Sequence, residues 1–257
     1  MQLNAITREV SPSINQCELS FHSRAPIDVD KARAQHKEYE TCLRGLGVKI
    51  HSLPAEPNLP DSVFVEDAAL VFDELAVLPI MGASSRRPEI TSLAETIARF
   101  RPINYLVAPG TLDGGDVLRA GKRVFVGLTK RTNAEAIDQL RNLLRPHGYT
   151  VDPVDVHNVL HLKSACSYIG NNTLLINRNL LNPDFFCEFE LIDVPSQEPA
   201  AANALMINDV VIIPTSFPTT CTLLEAAGFA VRTLDISELQ KAEAGVTCCS
   251  LIFGTKE

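Results

Sequence analysis

The chain has 257 residues, 46% of them hydrophobic and 21% charged, with a formal net charge of −8. That length gives one large domain or two small ones with ample core. The acidic balance removes electrostatic support for a nucleic-acid or anionic-membrane partner and suits a cationic small molecule better. The longest apolar runs, such as Val210-Val211-Ile212-Ile213, are far too short to span a bilayer. Met1-Gln2-Leu3-Asn4-Ala5-Ile6 lacks the charged-then-apolar layout of a secretory leader, so a cytoplasmic setting is expected. The seven cysteines (Cys17, Cys42, Cys166, Cys187, Cys221, Cys248 and Cys249) are odd in number and include no C-x-x-C. That pattern fits neither a disulfide framework nor a structural zinc site. A homodimer is compatible with this sequence.

In chain order, Asp28 to Leu46 carries Ala32, Ala34, Tyr39, Leu43 and Leu46 at spacings that suit an amphipathic helix, followed by a strand at Val48-Lys49-Ile50. Val71 to Pro79 reads as a hairpin turning at Asp73-Glu74. A helix at Pro88 to Phe100 and a strand at Tyr105-Leu106-Val107 follow. The pattern recurs with a hairpin at Val117 to Gly127 turning at Ala120-Gly121, a helix at Asn133 to Leu144 and a strand at Tyr149-Thr150-Val151. Ser167 to Ile176 is a third hairpin, turning at Gly170-Asn171-Asn172. Ala204 to Pro214 is a fourth, turning at Asn208-Asp209 before a helix at Thr219 to Ala227 and a strand at Ala230-Val231-Arg232.

The unit is therefore two strands, a helix and a third strand, with a period of roughly forty to fifty residues, the range of arrays and propellers. A fifth unit assembles from Leu3-Asn4-Ala5-Ile6 and Cys249-Ser250-Leu251-Ile252-Phe253. Pairing the termini closes a ring without a free sheet edge. No linker or low-complexity tract divides the chain. The expected fold is one α/β domain over residues 1–257: a five-bladed α/β propeller with a pseudo-fivefold repeat, closed by its N- and C-terminal strands.

The chemistry-bearing residues fall at unit starts: Asp61, Glu66 and Asp67 at the first visible unit, Asp113 and Asp116 at the second, His161 at the third and Cys248 at the closing one. A ring brings such positions to one central mouth. Taken singly, each has a bland alternative. Cys248 fits a buried core thiol, His161 a satisfied structural group, and Asp113 and Asp116 a turn-former and a loop cap. Arg86, Arg87 and Arg131 fit ordinary surface charge. Two local signals favour chemistry. The Gly245 turn before Cys248 and the apolar run after it suit a fixed yet reachable nucleophile, with Cys249 on the other strand face. Val63-Phe64-Val65 embeds Glu66 and Asp67 beside an apolar strand, where carboxylates are costly unless paired or bound to a cation.

Six segments together resemble the guanidino-group modifying enzymes, or penteins, and within them the dimethylarginine dimethylaminohydrolase family. They are Asp61 to Asp67, Ser85-Arg86-Arg87, Ala108 to Asp116, Arg131-Thr132-Asn133, Leu160 to Ser164 and Gly245 to Cys248, in the family's order. The resemblance implies a five-unit α/β propeller. It implies Cys248 as nucleophile, His161 as general acid/base and Asp113 as its acidic partner. Asp61, Glu66 and Asp67 would surround the guanidinium, Arg86 and Arg131 would hold an α-carboxylate, and Leu19 would lie near a mobile lid. The implied reaction hydrolyses an Nω-methylated arginine to citrulline and a methylamine through a covalent thiouronium, with no metal or organic cofactor. Arginine, agmatine or citrulline as substrate is the enzymatic alternative. Lys163 stands where arginine deiminases carry an aspartate, which favours an alkylated guanidinium. A ribosome anti-association role is the non-enzymatic alternative, and it would not need the three motif residues.

Overall fold

The computed structural model describes residues 2–255. In chain order the strands are β1 (Gln2–Arg8), β2 (Lys49–Leu53), β3 (Leu70–Val71), β4 (Ala76–Leu78), β5 (Ile103–Tyr105), β6 (Val117–Ala120), β7 (Arg123–Leu128) and β8 (Thr150–Asp155). They continue with β9 (Cys166–Tyr168), β10 (Thr173–Ile176), β11 (Glu190–Asp193), β12 (Leu205–Ile207), β13 (Val210–Pro214), β14 (Ala230–Leu234) and β15 (Leu251–Thr255). They form five three-stranded sheets: β15-β1-β2, β3-β4-β5, β6-β7-β8, β9-β10-β11 and β12-β13-β14.

Every sheet repeats one pattern. The middle strand pairs antiparallel with one neighbour and parallel with the other. The antiparallel pair is a hairpin in four sheets, and φ is positive at Gly121, Asn171, Asn172, Asn208 and Asp209 in three of the turns. In the fifth sheet, β1 pairs with β15 from the far end of the chain, with Ala5 opposite Ile252. The parallel pair needs a crossover. In four sheets this crossover contains α1 (Val29–Gly45), α2 (Ile90–Ile97), α3 (Ala134–Leu144) or α4 (Pro218–Ala226).

The middle strands are buried on both faces, so they read as unbroken apolar runs such as Val124-Phe125-Val126 and Val211-Ile212-Ile213. The helices cover them through one stripe each. In α3 this stripe is Ala136, Ile137, Leu140 and Leu144. Asp28 caps α1 by accepting from the Lys31 N–H, and Asn133 caps α3 by accepting from that of Ala136.

Three details depart from the sequence reading. Helix α2 is shorter than Pro88 to Phe100, because Ser84–Glu89 forms a 3-10 turn that contains Pro88. The β10–β11 crossover holds only a 3-10 turn, Pro183–Phe186, opened by Pro183 and capped by Asn182. A four-residue helix, α5 (Ser237–Gln240), follows β14. Among the described residues, no helix is long and apolar enough to cross a membrane.

Candidate active site

The segment just before the first strand of each sheet faces the same assembly of polar groups. Asp67 lies in a 3-10 turn before β3, Asp116 in one before β6, and His161 at the start of one before β9. Asn203 precedes β12 and Cys248 precedes β15. Cys248 and Cys249 sit in the turn rather than in the strand. Strand alternation therefore does not separate them. Cys249 is 2% exposed and packs in an apolar cluster with Val63 and Phe64, whereas Cys248 lines two cavities.

His161 is held from both sides. Its Nε2 lies 3.2 Å from Asp113 Oδ2 and its Nδ1 3.8 Å from Asp67 Oδ1. Asp113 also accepts from the Gly82 N–H at 2.8 Å and pairs with Arg131 at 3.4 Å. Asp67 accepts from the Gly115 N–H at 3.0 Å and from Arg86 at 2.7 Å. The two glycines of Asp113-Gly114-Gly115-Asp116 make this packing possible: a Cβ on Gly115 would stand 2.6 Å from the imidazole and 2.7 Å from Asp67.

Burial alone would lower the His161 pKa, but Asp67, Asp116 and Asp113 outweigh it and raise the value to about 9. Burial would raise Asp67, but His161 and Arg86 hold it well below the usual carboxylate range. Burial pushes the Cys248 thiol up to about 12, helped by Glu66 and Asp67. Near neutral pH these shifts favour the neutral thiol of Cys248 and the charged imidazole of His161.

The remaining residues singled out from the sequence divide into three groups. Arg131 and Asp61 line a small cavity of about 20 Å³ with Asp67, His161 and Cys248, and Asp61 accepts from the Glu18 N–H at 3.1 Å. Arg86 lines it too, but every nitrogen is engaged, with Asp67, Glu89 and the carbonyls of Asp61 and Phe64. Arg86 is thus a buried brace for Asp67. Glu66 pairs with Lys163 and accepts from Thr247 Oγ1 at 2.7 Å, lining a second, wider cavity of about 310 Å³. Leu19 lines neither cavity; it packs half-buried against the apolar cluster that contains Cys249. Its neighbours Glu18, Phe21 and His22 reach the cavities instead.

Two site residues escaped the sequence reading. Asn203 donates to the Lys163 carbonyl and to Thr247 Oγ1, both at 3.0 Å, and accepts from the Thr247 N–H at 3.2 Å. A Cβ on Gly245 would lie 2.2 Å from the Asn203 amide oxygen, so that close approach requires glycine. Its position before β12, matching the other site segments, was the available signal. Glu243 carries φ +61°. Its carboxylate accepts the N–H groups of Ser20, Phe21 and His22 at 2.6–3.1 Å, and it lines both cavities.

Asp67, Asp113 and His161 bring one ligand atom each within 4.8 Å of one another, the donor set of a metal site. Arg86 and Arg131 already balance the two carboxylates, and His161 holds a proton up to about 9. A metal ion would have to displace that proton.

A family model described as N,N dimethylarginine dimethylhydrolase, eukaryotic, matches residues 4–216. The Pseudomonas aeruginosa protein named N(G),N(G)-dimethylarginine dimethylaminohydrolase is 36% identical over 250 residues, covering 96% of this chain and 98% of its own. The chain belongs to the dimethylarginine dimethylaminohydrolase family. A Streptomyces coelicolor member of the same name is also 36% identical, over 96% of this chain and 95% of its own. In structure, a cysteine-to-serine variant of the Pseudomonas aeruginosa enzyme complexed with citrulline matches with a TM-score of 0.94 at 35% identity, covering 98% of this chain and 100% of that one. The N-terminal domain of ArgZ, a cyanobacterial arginine dihydrolase, matches at 19% identity with a TM-score of 0.87, covering 98% and 97% of the two chains. At that identity the likeness concerns the α/β fold.

Proposed function

We propose that the chain is a cysteine-dependent hydrolase that converts an Nω-methylated L-arginine to L-citrulline and a methylamine. The observation that carries it is the lining of the small cavity. Cys248 and His161 share it with Asp61, Asp67 and Arg131, carboxylates for a cation and a guanidinium for a carboxylate. The related enzyme complexed with citrulline supports the product.

In this reading the five sheets stand around a common axis as a closed propeller, one domain over residues 1–257. The pairing of β1 with both β15 and β2 supports closure. The small cavity shares His161, Cys248 and Glu243 with the wider one of about 310 Å³, so the reacting groups also face the larger space. Arg131 takes the α-carboxylate while Arg86 braces Asp67 from behind.

The chemistry follows from the charges. Burial, Glu66 and Asp67 disfavour the Cys248 thiolate. A bound guanidinium offsets them, so the thiol releases its proton to solvent as the substrate cation arrives. The sulfur attacks the guanidinium carbon, held in line by the carboxylates. His161 gives its proton to the departing amine, leaving a thiouronium on Cys248. The neutral imidazole then takes a proton from water as the oxygen attacks, and collapse expels the sulfur, which takes up the proton of the adduct's hydroxyl, giving citrulline, the thiol and charged His161. Asp113 orients the imidazole and favours its charged form. No step draws on a cofactor. Lys163, which pairs with Glu66 beside the wider cavity, supplies no second carboxylate for an unsubstituted guanidinium. A small-molecule substrate handled in the cytoplasm, away from nucleic acid and membranes, completes the proposal.

Product analysis with dimethylarginine, monomethylarginine, arginine, agmatine and citrulline tests it. The expected result is citrulline from the two methylated arginines and little turnover of the other three. Release of ammonia from arginine or agmatine as the fastest reaction would replace this reading with a deiminase.

A further inference from the structure

Asp116 is fully buried and touches neither cavity, yet it bonds to segments that carry three site residues. Its Oδ1 accepts the N–H of Leu162, the residue after His161, at 2.9 Å. Its Oδ2 accepts from the hydroxyls of Thr132 at 2.6 Å and Thr129 at 2.8 Å. Thr132 Oγ1 in turn accepts the Asp113 N–H at 3.1 Å. Thr129 Oγ1 accepts the N–H groups of Arg131 at 3.1 Å and Thr132 at 3.3 Å. One carboxylate thus reaches the backbone beside the imidazole directly and, through two hydroxyls, the backbones of its acidic partner and of the carboxylate-facing arginine.

Burial of a carboxylate is costly unless its lone pairs are filled. Three donors fill them, which fixes the three donor segments relative to one another. A Cβ on Gly127 would approach to 3.0 Å of Asp116 Oδ1 and 2.9 Å of the Leu162 Cβ, so the β7 backbone also packs directly on this junction. No atom of Asp116 is placed to meet substrate, so its contribution runs through the groups it holds.

We propose that Asp116, with Thr132 and Thr129, is the positioning centre of the site, setting His161, Asp113 and Arg131 in mutual register. The inference rests on the hydrolase reading for its kinetic consequences, while the imidazole gives a readout that does not. Charged and titratable groups facing His161 are Asp67 and Asp113 on its two nitrogens, Asp116 beneath its backbone and Cys248 across the cavity; Arg131 and Arg86 lie behind the first two acids.

The test compares Asp116→Asn, Thr132→Val and Thr132→Ser by ring-proton NMR titration of His161 and by steady-state kinetics on monomethylarginine. Asp116→Asn keeps the shape but removes a charge, so the His161 titration should fall from about 9 by a unit or more. It should also lower kcat by tenfold or more. Thr132→Val should lower kcat and raise KM, each severalfold, and Thr132→Ser should restore both. Folded Asp116→Asn with an unmoved titration and kinetics within twofold of the parent would overturn the proposal. Should that variant not fold, Thr132→Val decides: kinetics equal to the parent's, or a loss that serine does not rescue, overturns it as well. A parent protein inactive on methylated arginines would refute the hydrolase reading and leave the NMR titration as the deciding measurement for Asp116.

Discussion

Asp113 is completely buried and is met by the Gly82 N–H, His161 and Arg131, each from a different segment. At the wider cavity, the Ser20-Phe21-His22 stretch is exposed, and its three backbone N–H groups converge on one carboxylate, that of Glu243. His161, held by Asp113, and the loop's Phe21 and His22 line that same cavity and differ in how many contacts hold them. The buried wall is over-determined, so the reacting groups keep their geometry. The loop has few ties, and local opening is least costly where few buried contacts must break. Chemistry and access are therefore assigned to different parts of the chain.

The largest effect expected on the buried side is at sulfur. Cys248→Ser should abolish turnover without unfolding the protein, and Cys249→Ser should leave substantial activity, as read from citrulline release and thermal melts. If Cys249→Ser alone removes turnover, the assignment of the two thiols is reversed.

The arginines sharpen the contrast next. Arg86→Ala should destabilise the fold by about 3–5 kcal/mol, because Asp67 and Glu89 would lose the buried guanidinium they share; denaturant titration measures it. Arg131→Ala should cost less stability than Arg86→Ala, because Asp113 keeps the Gly82 N–H and His161, and should raise KM roughly ten- to hundredfold, the size of a lost charge-assisted hydrogen bond of about 1.5–3 kcal/mol. Equal stability losses in both variants would remove the distinction between brace and ligand.

The loop should respond more weakly. Glu243→Ala removes the shared acceptor of three N–H groups and should raise KM severalfold, with faster proteolysis at Arg24 and an unchanged melting temperature. A melting temperature lowered as much as in Arg86→Ala would place Glu243 in the rigid wall.

The pH dependence of stability reports on the same buried wall. The folded pKa of His161 is raised to about 9 from its ordinary 6.5. Its stabilising contribution is fully present below 6.5 and is lost as pH rises through 9. Melting temperatures should decline over that window in the parent and decline less in His161→Gln.

Much of this was legible in the sequence because hairpin turns and apolar strands are local signals. Asn171-Asn172 and Asn208-Asp209 announce positive φ, and the apolar runs of β7 and β13 announce doubly buried strands. The β10–β11 crossover was not legible, since a proline-opened 3-10 turn leaves no helical period. The site motifs were visible as segments, but their partners were not. Nothing local distinguishes Arg86, walled in by Asp67 and Glu89, from Arg131, which faces the small cavity. Leu19 is an apolar side chain in an exposed loop, and only packing decides that it turns toward the core. Glu243 acts on a segment distant in sequence, where spacing carries no information, while the repeat position before β12 was the one signal for Asn203.

The claim on which the mechanism depends is that the Cys248 sulfur, and not that of its neighbour, bonds to the guanidino carbon. The direct trap is His161→Gly, which removes the group that would activate water, treated with S-methyl-L-thiocitrulline and mapped by peptide mass spectrometry. The account predicts the added mass on Cys248 alone. Modification of Cys249 instead, or a protein that binds the compound yet stays unmodified, would contradict it.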